Sequence, residues 1–141
     1  DVVIALHACD TATDDAVAKG VSAGAALIVV APCCHKQIRR SIGNVDTLHP
    51  LHFMLKHGTY MERMGEMVTD AIRAQIMELH HYRTKLFEFI PDAHTPKNVM
   101  IVGVKANESQ SKAAMQALRD AIDASKAQFG IATHQLERLL K

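Results

Sequence analysis

Apolar residues follow two patterns in the first part of the chain, short unbroken runs and a short helical segment. The run Val2–Leu6 is rich in β-branched residues and predicts a strand, as does the wholly apolar run Ala25–Ala31. Between them, Asp14–Lys19 predicts a short helix that stops at Gly20. Strands that are apolar on both faces and joined by a short helix are typical of a buried parallel sheet.

The later part of the chain contains longer helical repeats. Residues 36–59 are mixed and predict a loop with one or two broken helical turns. From Tyr60 to Tyr82 apolar residues recur every three or four positions, which predicts a long amphipathic helix. The pattern then predicts two strands followed by two helices, at Lys85–Ile90, Asn98–Lys105, Ser109–Gln128 and Thr133–Leu140.

The two later strands are separated by a proline-bounded turn at residues 91–96, so they predict an antiparallel hairpin. The element order therefore predicts an α/β fold. We expect a Rossmann-like mixed sheet of about four strands, with parallel first strands and a C-terminal antiparallel hairpin flanked by helices. A chain of 141 residues, 48% of them apolar, is long enough for one domain with a core.

Charge and composition narrow the classes of function. Sixteen Lys and Arg residues against fifteen Asp and Glu leave a net charge of +1, which does not favour a strongly electrostatic binder of nucleic acid or membrane. Aromatic residues make up only 4% of the chain, which argues against a base-stacking surface. No apolar run reaches the roughly 18–20 residues that span a bilayer, so we expect no membrane partner. Three cysteines cannot form a disulfide framework, so we expect a reducing, cytoplasmic location.

Side chains that can do chemistry follow both predicted parallel strands. His7-Ala8-Cys9-Asp10 comes after the first strand, and Pro32-Cys33-Cys34-His35-Lys36 comes after the second. Ligands bind at the carboxyl ends of parallel strands, so we expect these two clusters to lie side by side at a binding edge.

Several kinds of chemistry fit these clusters. Zinc accepts His and Cys ligands, but the adjacent Cys33 and Cys34 are expected to point in different directions, and no Cys-x-x-Cys pair is present. A nucleophilic Cys34, activated by His35 and Lys36, is a second reading. The alternatives to an enzyme are a non-catalytic α/β module that binds zinc through the Cys and His clusters and an interaction domain that works through the Met-rich long helix.

Three segments resemble one known family. DVVIALHACDTATDDAVAKG, AALIVVAPCCHKQIRR and EFIPDAHTPKNVMIVGVK resemble the C-terminal half of a class I S-adenosylmethionine-dependent methyltransferase. More narrowly, they are similar to the methyltransferase-like family with Leu-His-Ala-Cys-Asp and Pro-Cys-Cys-His signatures. The resemblance covers about residues 1–105. It implies a seven-stranded sheet in which Val2–Leu6 and Ala25–Ala31 are the fourth and fifth strands and the hairpin supplies the last two.

The resemblance also implies a cofactor, S-adenosylmethionine, and roles for individual residues. The glycine-rich loop and the acidic residue that hold the cofactor in that class would precede Asp1, so residues 1–141 would be the C-terminal part of the domain. His7 and Ala8 would lie nearest the reacting methyl group and contact the cofactor. His7 or Asp10 would act as the base that accepts a proton. The substrate-binding residues would be Cys9, Cys33, Cys34, His35 and Lys36, and no metal is assigned.

The implied partner is the N-terminal half of the same protein. Without it the edge of Val2–Leu6 would be exposed, so we expect this strand to pair with that half or with another copy of the chain. Arg39 and Arg40 lie next to the expected site and favour an RNA acceptor. No Asn/Asp-Pro-Pro-Tyr motif is present, which disfavours an exocyclic amine and leaves oxygen, sulfur and other nitrogen acceptors open.

Two further polar segments are assigned structural roles. His49, His52 and His57 have irregular spacing and are interpreted as loop histidines. Lys97 and Asn98 belong to a His-Thr-Pro-Lys-Asn segment, which is interpreted as a hairpin turn rather than a substrate contact.

Overall fold

The computed structural model describes residues 1–44, 46–91, 93–108 and 110–141. Within these residues the chain forms four strands and six helices. The strands are β1 (Val2–Leu6), β2 (Leu27–Ala31), β3 (Tyr82–Glu88) and β4 (Val99–Lys105). The helices are α1 (Thr11–Ser22), α2 (Lys36–Ile42), α3 (His52–Leu55), α4 (Gly58–Leu79), α5 (Lys112–Gln128) and α6 (Gln135–Leu139).

The four strands form one sheet in the order β1-β2-β4-β3. β1 and β2 run parallel, with Val3 opposite Ile28. β4 is antiparallel to both of its neighbours, β2 and β3. The predicted α/β fold class is therefore confirmed, with a Rossmann-like mixed sheet that has parallel first strands and a C-terminal antiparallel hairpin flanked by helices.

Helix α1 is longer than the sequence pattern predicts. It runs past Gly20 to Ser22, so the prediction of a stop at Gly20 is wrong. Gly20 serves packing instead, because a Cβ at this position would lie 2.8 Å from Cδ1 of the buried Ile28 on β2. The left-handed turn after the helix falls at Gly24, whose φ is 64°.

The boundary between α4 and β3 also differs from the prediction. The helix ends at Leu79, and His81 adopts a left-handed φ of 65° before the strand begins at Tyr82. Tyr82 is buried, and its hydroxyl donates a hydrogen bond to the backbone oxygen of Ala25 at 2.8 Å. β3 therefore starts three residues before the predicted Lys85, because a tertiary contact recruits Tyr82 into the sheet.

The remaining boundaries agree with the patterns to within a few residues. Helices α2 and α3 occupy the region predicted as broken helical turns. The predicted start of the second long helix, Ser109, lies outside the described residues. The helix begins at Lys112, where the Oγ of Ser111 accepts a hydrogen bond from the Ala114 N–H at 3.1 Å. Asp92 in the predicted turn also lies outside them.

The two faces of the sheet differ in how much of their surface is covered by helices. α1 and α4 pack against the face that carries Ile28, Val30 and Ile101, which are all fully buried. On β1 the alternate side chains Val2, Ile4 and Leu6 remain 55%, 64% and 59% exposed. Across the described ranges, no helix has the length and apolar character that crossing a membrane requires.

Candidate functional site at the carboxyl ends of β1 and β2

The carboxyl ends of β1 and β2 lie side by side, as the sequence predicts. Leu6 pairs with Ala31, and the next backbone N–H, that of His7, donates to the Ala31 oxygen at 2.9 Å. The chain then turns sharply, with φ values of 55° at His7 and 50° at Asp10. Left-handed conformations are uncommon for residues other than glycine, and strained positions of this kind concentrate at functional sites.

Residues 7–10 are held in place by contacts from three elements. The Thr13 hydroxyl donates to the backbone oxygen of Ala8 at 2.6 Å, and the Arg73 guanidinium donates to the backbone oxygen of Asp10 at 2.8 Å. The Asp10 carboxylate accepts from the backbone N–H of Gln37 at 3.1 Å. Asp10 therefore caps the start of α2, and this hydrogen bond restrains the position of its carboxylate.

Three cysteine side chains come together beside this loop. Cys9 Sγ lies 3.4 Å from Cys33 Sγ and 3.6 Å from Cys34 Sγ, and the Sγ atoms of Cys33 and Cys34 are 3.8 Å apart. The expectation that adjacent cysteines point in different directions is wrong here, because the chain between β2 and α2 turns both toward Cys9. The three residues also form the sole cluster of potential metal ligands that the described ranges contain.

The thiols in this cluster have different acidities. Hydrogen bonds from Cys33 and Cys34 lower the pKa of Cys9, and the nearby Lys36 contributes in the same direction. Burial raises the pKa of Cys33 to about 12, and its two sulfur neighbours add to that rise. Cys9 is exposed, whereas the other two cysteines are half-buried. Cys9 is therefore ionised more easily than Cys33 and is the more reactive of the two.

His35 does not join the cysteines. Its side chain is only 4% exposed, and its Nε2 lies 3.1 Å from Asp70 Oδ1 on α4. Its other ring nitrogen, Nδ1, is buried and has no hydrogen-bond partner in the structure. The proposed substrate-binding residues therefore divide into the cysteine cluster, the inward-facing His35 and the exposed Lys36 at the start of α2.

A buried ion network supports this edge of the sheet. Arg73 Nε lies 2.7 Å from Asp14 Oδ1, and Arg73 Nη1 lies 3.0 Å from Asp70 Oδ1. Burial raises the pKa of Asp14 against the opposing effect of Arg73. Burial lowers the pKa of Arg73, but its hydrogen bonds and charge interactions with Asp14 and Asp70 together outweigh that effect, and the net shift is upward. The Arg73 guanidinium keeps its proton in this network, because arginine is not deprotonated in proteins and its charge is paired with carboxylates.

Sequence reasoning did not identify this network. Asp14 and Arg73 are 59 residues apart in the chain, and each sits on a different helix. The available signal was weak: an Arg and an Asp three positions apart within the long α4 pattern, where charged residues normally face solvent.

A cavity of about 340 Å³ lies beside the segment between β2 and α2, and Pro32 and His35 of that segment line it. Its wall is mostly apolar, and Lys97 and Glu66 form an ion pair at its rim. Asn98 is buried, and its amide donates to the Ile90 oxygen at 2.9 Å, which closes the hairpin turn. The lining residues are Pro32, His35, Glu66, Met67, Asp70, Leu86, Phe87, Glu88, Pro96, Lys97, Asn98 and Val99.

The other histidines singled out in the sequence lie away from this edge. His49 Nε2 lies 2.7 Å from the Gln128 oxygen, and the His57 ring contacts Tyr60 edge-on at 6.0 Å between centroids. His134, which the pattern did not single out, is fully buried and caps α6, with its Nδ1 accepting from the Leu136 N–H at 3.2 Å. Burial lowers the pKa of His134 to about 4.

Comparison with known protein families bears directly on this edge of the sheet. Residues 1–41 match a protein-family model described as a methyltransferase domain. The match supports a methyltransferase domain and a transferase function. It spans β1, α1, β2 and all but the last residue of α2, so it includes both loops that carry the Cys and His residues. No curated protein and no solved structure matches the chain.

Proposed function

We propose that this chain forms the acceptor side of an active site that transfers a methyl group from S-adenosylmethionine. One observation carries the proposal: the methyltransferase-domain match covers both strand ends that carry the Cys and His residues of the candidate site. The matched residues 1–41 build the adjoining carboxyl ends of β1 and β2, which is where open parallel sheets bind their ligands. The class I assignment rests on the Leu-His-Ala-Cys-Asp and Pro-Cys-Cys-His signatures at those two strand ends.

The residues present fit one wall of a cofactor site. His7 is exposed and Ala8 half-buried at the end of β1, where they would border the methyl donor. None of the seven glycines lies in the loop after β1 or β2, so a glycine-rich cofactor loop would come from another segment. S-adenosylmethionine supplies the methyl group when bound. The residues of this chain orient the acceptor and accept its proton.

Residues 1–141 would accordingly be the C-terminal part of the methyltransferase domain, and the N-terminal half of the same protein would be its partner. Among the described residues, β1 stands at one end of the sheet order, with β2 as its one neighbour. Its exposed side chains Val2, Ile4 and Leu6 present an apolar surface that the preceding half would cover. A second copy of the chain is the alternative occupant of this edge.

The cavity beside His35 is the proposed place for the acceptor group. Leu86, Phe87 and Met67 give it apolar walls that suit a flat or aliphatic group, and Asp70 adds a carboxylate. The segment between β2 and α2 connects the cavity with the cysteine cluster, because Pro32 and His35 line the cavity and Cys33 and Cys34 belong to the cluster. Cys9, Cys33, Cys34 and Lys36 would therefore border the acceptor at the outer edge, and His35 would contact it from the cavity wall.

Two arrangements can accept the proton that the acceptor loses. His7 and Asp10 stand at the strand ends and are the candidates closest to the methyl donor. The His35–Asp70 pair is the second arrangement. Asp70 at Nε2 favours the tautomer in which Nδ1 carries a free lone pair, and this buried Nδ1 has no partner in the structure. A carboxylate that orients the imidazole in this way is an arrangement that general bases use.

RNA is the acceptor class that we favour. Lys36 and Arg40 are exposed at α2, while Arg39 forms an ion pair with Glu62 at 2.5 Å. Two basic side chains therefore remain available to phosphate groups next to the active edge. The three free cysteines suit a reducing compartment, so we propose a cytoplasmic location.

Transfer of a labelled methyl group tests this proposal. The longer protein that includes this chain is incubated with S-adenosylmethionine labelled in its methyl group, and label is measured separately in RNA, protein and small molecules. The variants are His7→Ala, Asp10→Asn and His35→Gln, with the loop variant His57→Ala as control. Loss of the true base is expected to slow transfer about 10²–10⁴-fold while cofactor affinity stays within a few-fold. No labelled acceptor in any fraction would contradict the function, and full activity of all three variants would contradict the base assignments.

A further inference from the structure

We propose that Cys9, Cys33 and Cys34 bind one thiophilic metal ion, with Zn²⁺ as the physiological occupant. The three Sγ atoms form a triangle with sides of 3.4, 3.6 and 3.8 Å. Neither S-adenosylmethionine nor a methyl acceptor is needed for this site, so it stands independently of the proposed function.

The dimensions of the triangle fit tetrahedral thiolate coordination. Zinc–sulfur bonds of about 2.3 Å at tetrahedral angles place the sulfur atoms about 3.8 Å apart. The observed sides differ from that separation by at most about 0.4 Å, which small side-chain rotations accommodate. The ion would lie above the triangle, bonded to all three sulfurs.

The backbone holds these sulfurs together through contacts that do not involve the thiols. The His7 N–H donates to the Ala31 oxygen at 2.9 Å and joins the two strand ends. The Asp10 carboxylate accepts from the Gln37 N–H at 3.1 Å and so joins the loop after β1 to α2. Helix α2 begins two residues after Cys34, so this contact also fixes the position of that cysteine. The ligand geometry is therefore built by the fold, which lowers the ordering cost of binding an ion.

The charges and exposure at the site also suit a metal with an open position. Three thiolates and Zn²⁺ carry a net charge of −1, and Cys9 is exposed, so the ion would be accessible from solvent. In the described parts of the chain, no fourth His, Cys, Asp or Glu atom lies within 4.8 Å of all three sulfurs. Water or an external ligand would complete the coordination, as in zinc sites that act on substrates. Each thiol that binds releases its proton to solvent.

Metal titration of the reduced chain tests the site. The 141-residue chain is stripped of metal with a chelator under a phosphine reductant and then titrated with Zn²⁺ against a chromophoric competitor. We expect one equivalent to bind and the pH of an unbuffered sample to fall. X-ray absorption at the zinc edge should show three sulfurs at about 2.3 Å and one lighter ligand atom.

Substitution variants identify the ligands. We expect each of three single variants to weaken zinc binding by more than about 100-fold: Cys9→Ser, Cys33→Ser and Cys34→Ser. Loss of a residue that only supports a metal ligand costs up to about 100-fold, and loss of a ligand itself should cost more. The double variant His52→Ala/His57→Ala keeps all three sulfurs and should bind like the parent chain. Circular dichroism confirms that each variant is folded before its affinity is compared.

Three results would overturn the proposal. Failure of zinc to bind in a stoichiometric amount would exclude it as the occupant of a preformed site. Equal binding by the parent chain and all three serine variants would indicate an adventitious ion only. A fully reduced chain that binds zinc through the loop histidines, as shown by loss in the double variant, would place the ion elsewhere.

Discussion

The carboxylate of Asp10 accepts a hydrogen bond from the backbone N–H of Gln37 at 3.1 Å, so the loop after β1 caps the helix that follows β2. This contact joins the two strand ends at which the candidate site lies. It also gives Asp10 a structural role that is separable from the proposed acceptance of a proton, because an amide oxygen can replace the carboxylate as hydrogen-bond acceptor.

Substitutions at Asp10 should separate these two roles. Asp10→Ala removes the cap and should lower the free energy of unfolding by about 1 kcal/mol, whereas Asp10→Asn keeps an acceptor and should cost less than half as much. Urea denaturation of the two variants measures the difference. Equal destabilisation by Ala and Asn would show that the charge, not the hydrogen bond to Gln37, stabilises α2.

The buried network around Arg73 should dominate the stability of this edge. Arg73→Ala would leave Asp14 and Asp70 buried without their cation, and we expect a loss of about 3–5 kcal/mol in the free energy of unfolding. Arg39→Ala is the matched control, because its ion pair with Glu62 is about half exposed and should contribute less than about 1 kcal/mol. Similar losses for both variants in chemical denaturation would contradict the importance of burial.

Buried His134 should make the chain sensitive to acid. Its pKa falls from 6.5 to about 4 on folding because of burial, assisted by the positive charge of Arg73. The folded state therefore resists protonation, so the contribution of His134 to stability is fully present above pH 6.5 and is lost as the pH falls toward 4. The expected loss is on the order of 3 kcal/mol.

A variant at the same position isolates this effect. His134→Asn keeps an acceptor for the Leu136 N–H at the start of α6 but does not titrate in this range. Thermal unfolding followed between pH 7 and pH 4 should therefore show a shallower decline for the variant than for the parent chain. Parallel declines would mean that His134 does not set the acid sensitivity.

Two glycine substitutions test the packing of α1 on β2. A methyl group at Gly20 would meet Ile28 at 2.8 Å, so Gly20→Ala should destabilise the chain by about 1–3 kcal/mol through overpacking. At Gly58, the first residue of α4, the same change meets no atom within 4 Å. Gly58→Ala should be neutral or stabilise by up to about 1 kcal/mol. Calorimetric melting of both variants gives the comparison, and a stabilised Gly20→Ala chain would contradict the account.

The sequence predicted the parts of the fold that depend on local pattern. Val2–Leu6 was identified to the residue, and the hairpin and the meeting of the two strand ends followed from apolar runs and turn residues. What it missed depends on contacts between distant segments. In the sequence Gly20 suggests a helix stop, but in the structure it allows α1 to pack closely against Ile28. Tyr82 fits the helical pattern of α4, but the hydrogen bond from its hydroxyl to the Ala25 backbone places it in the sheet.

The candidate site was predicted in composition but not in arrangement. Cys33, Cys34 and His35 are consecutive, yet the cysteines face Cys9 while His35 faces Asp70. Which way each side chain turns depends on the fold of the segment and on α4 behind it. The partnership of Asp70 with His35 spans 35 residues of chain, so no local spacing could reveal it.

Binding of S-adenosylmethionine tests the central claim most directly. Isothermal titration calorimetry is performed on the 141-residue chain and on the longer protein that includes the preceding half of the domain. In the proposed function the chain supplies only one wall of the cofactor site. We therefore expect no tight binding by the chain alone and clear one-to-one binding by the longer protein. Failure of the longer protein to bind S-adenosylmethionine would contradict the assignment of this edge to methyl transfer.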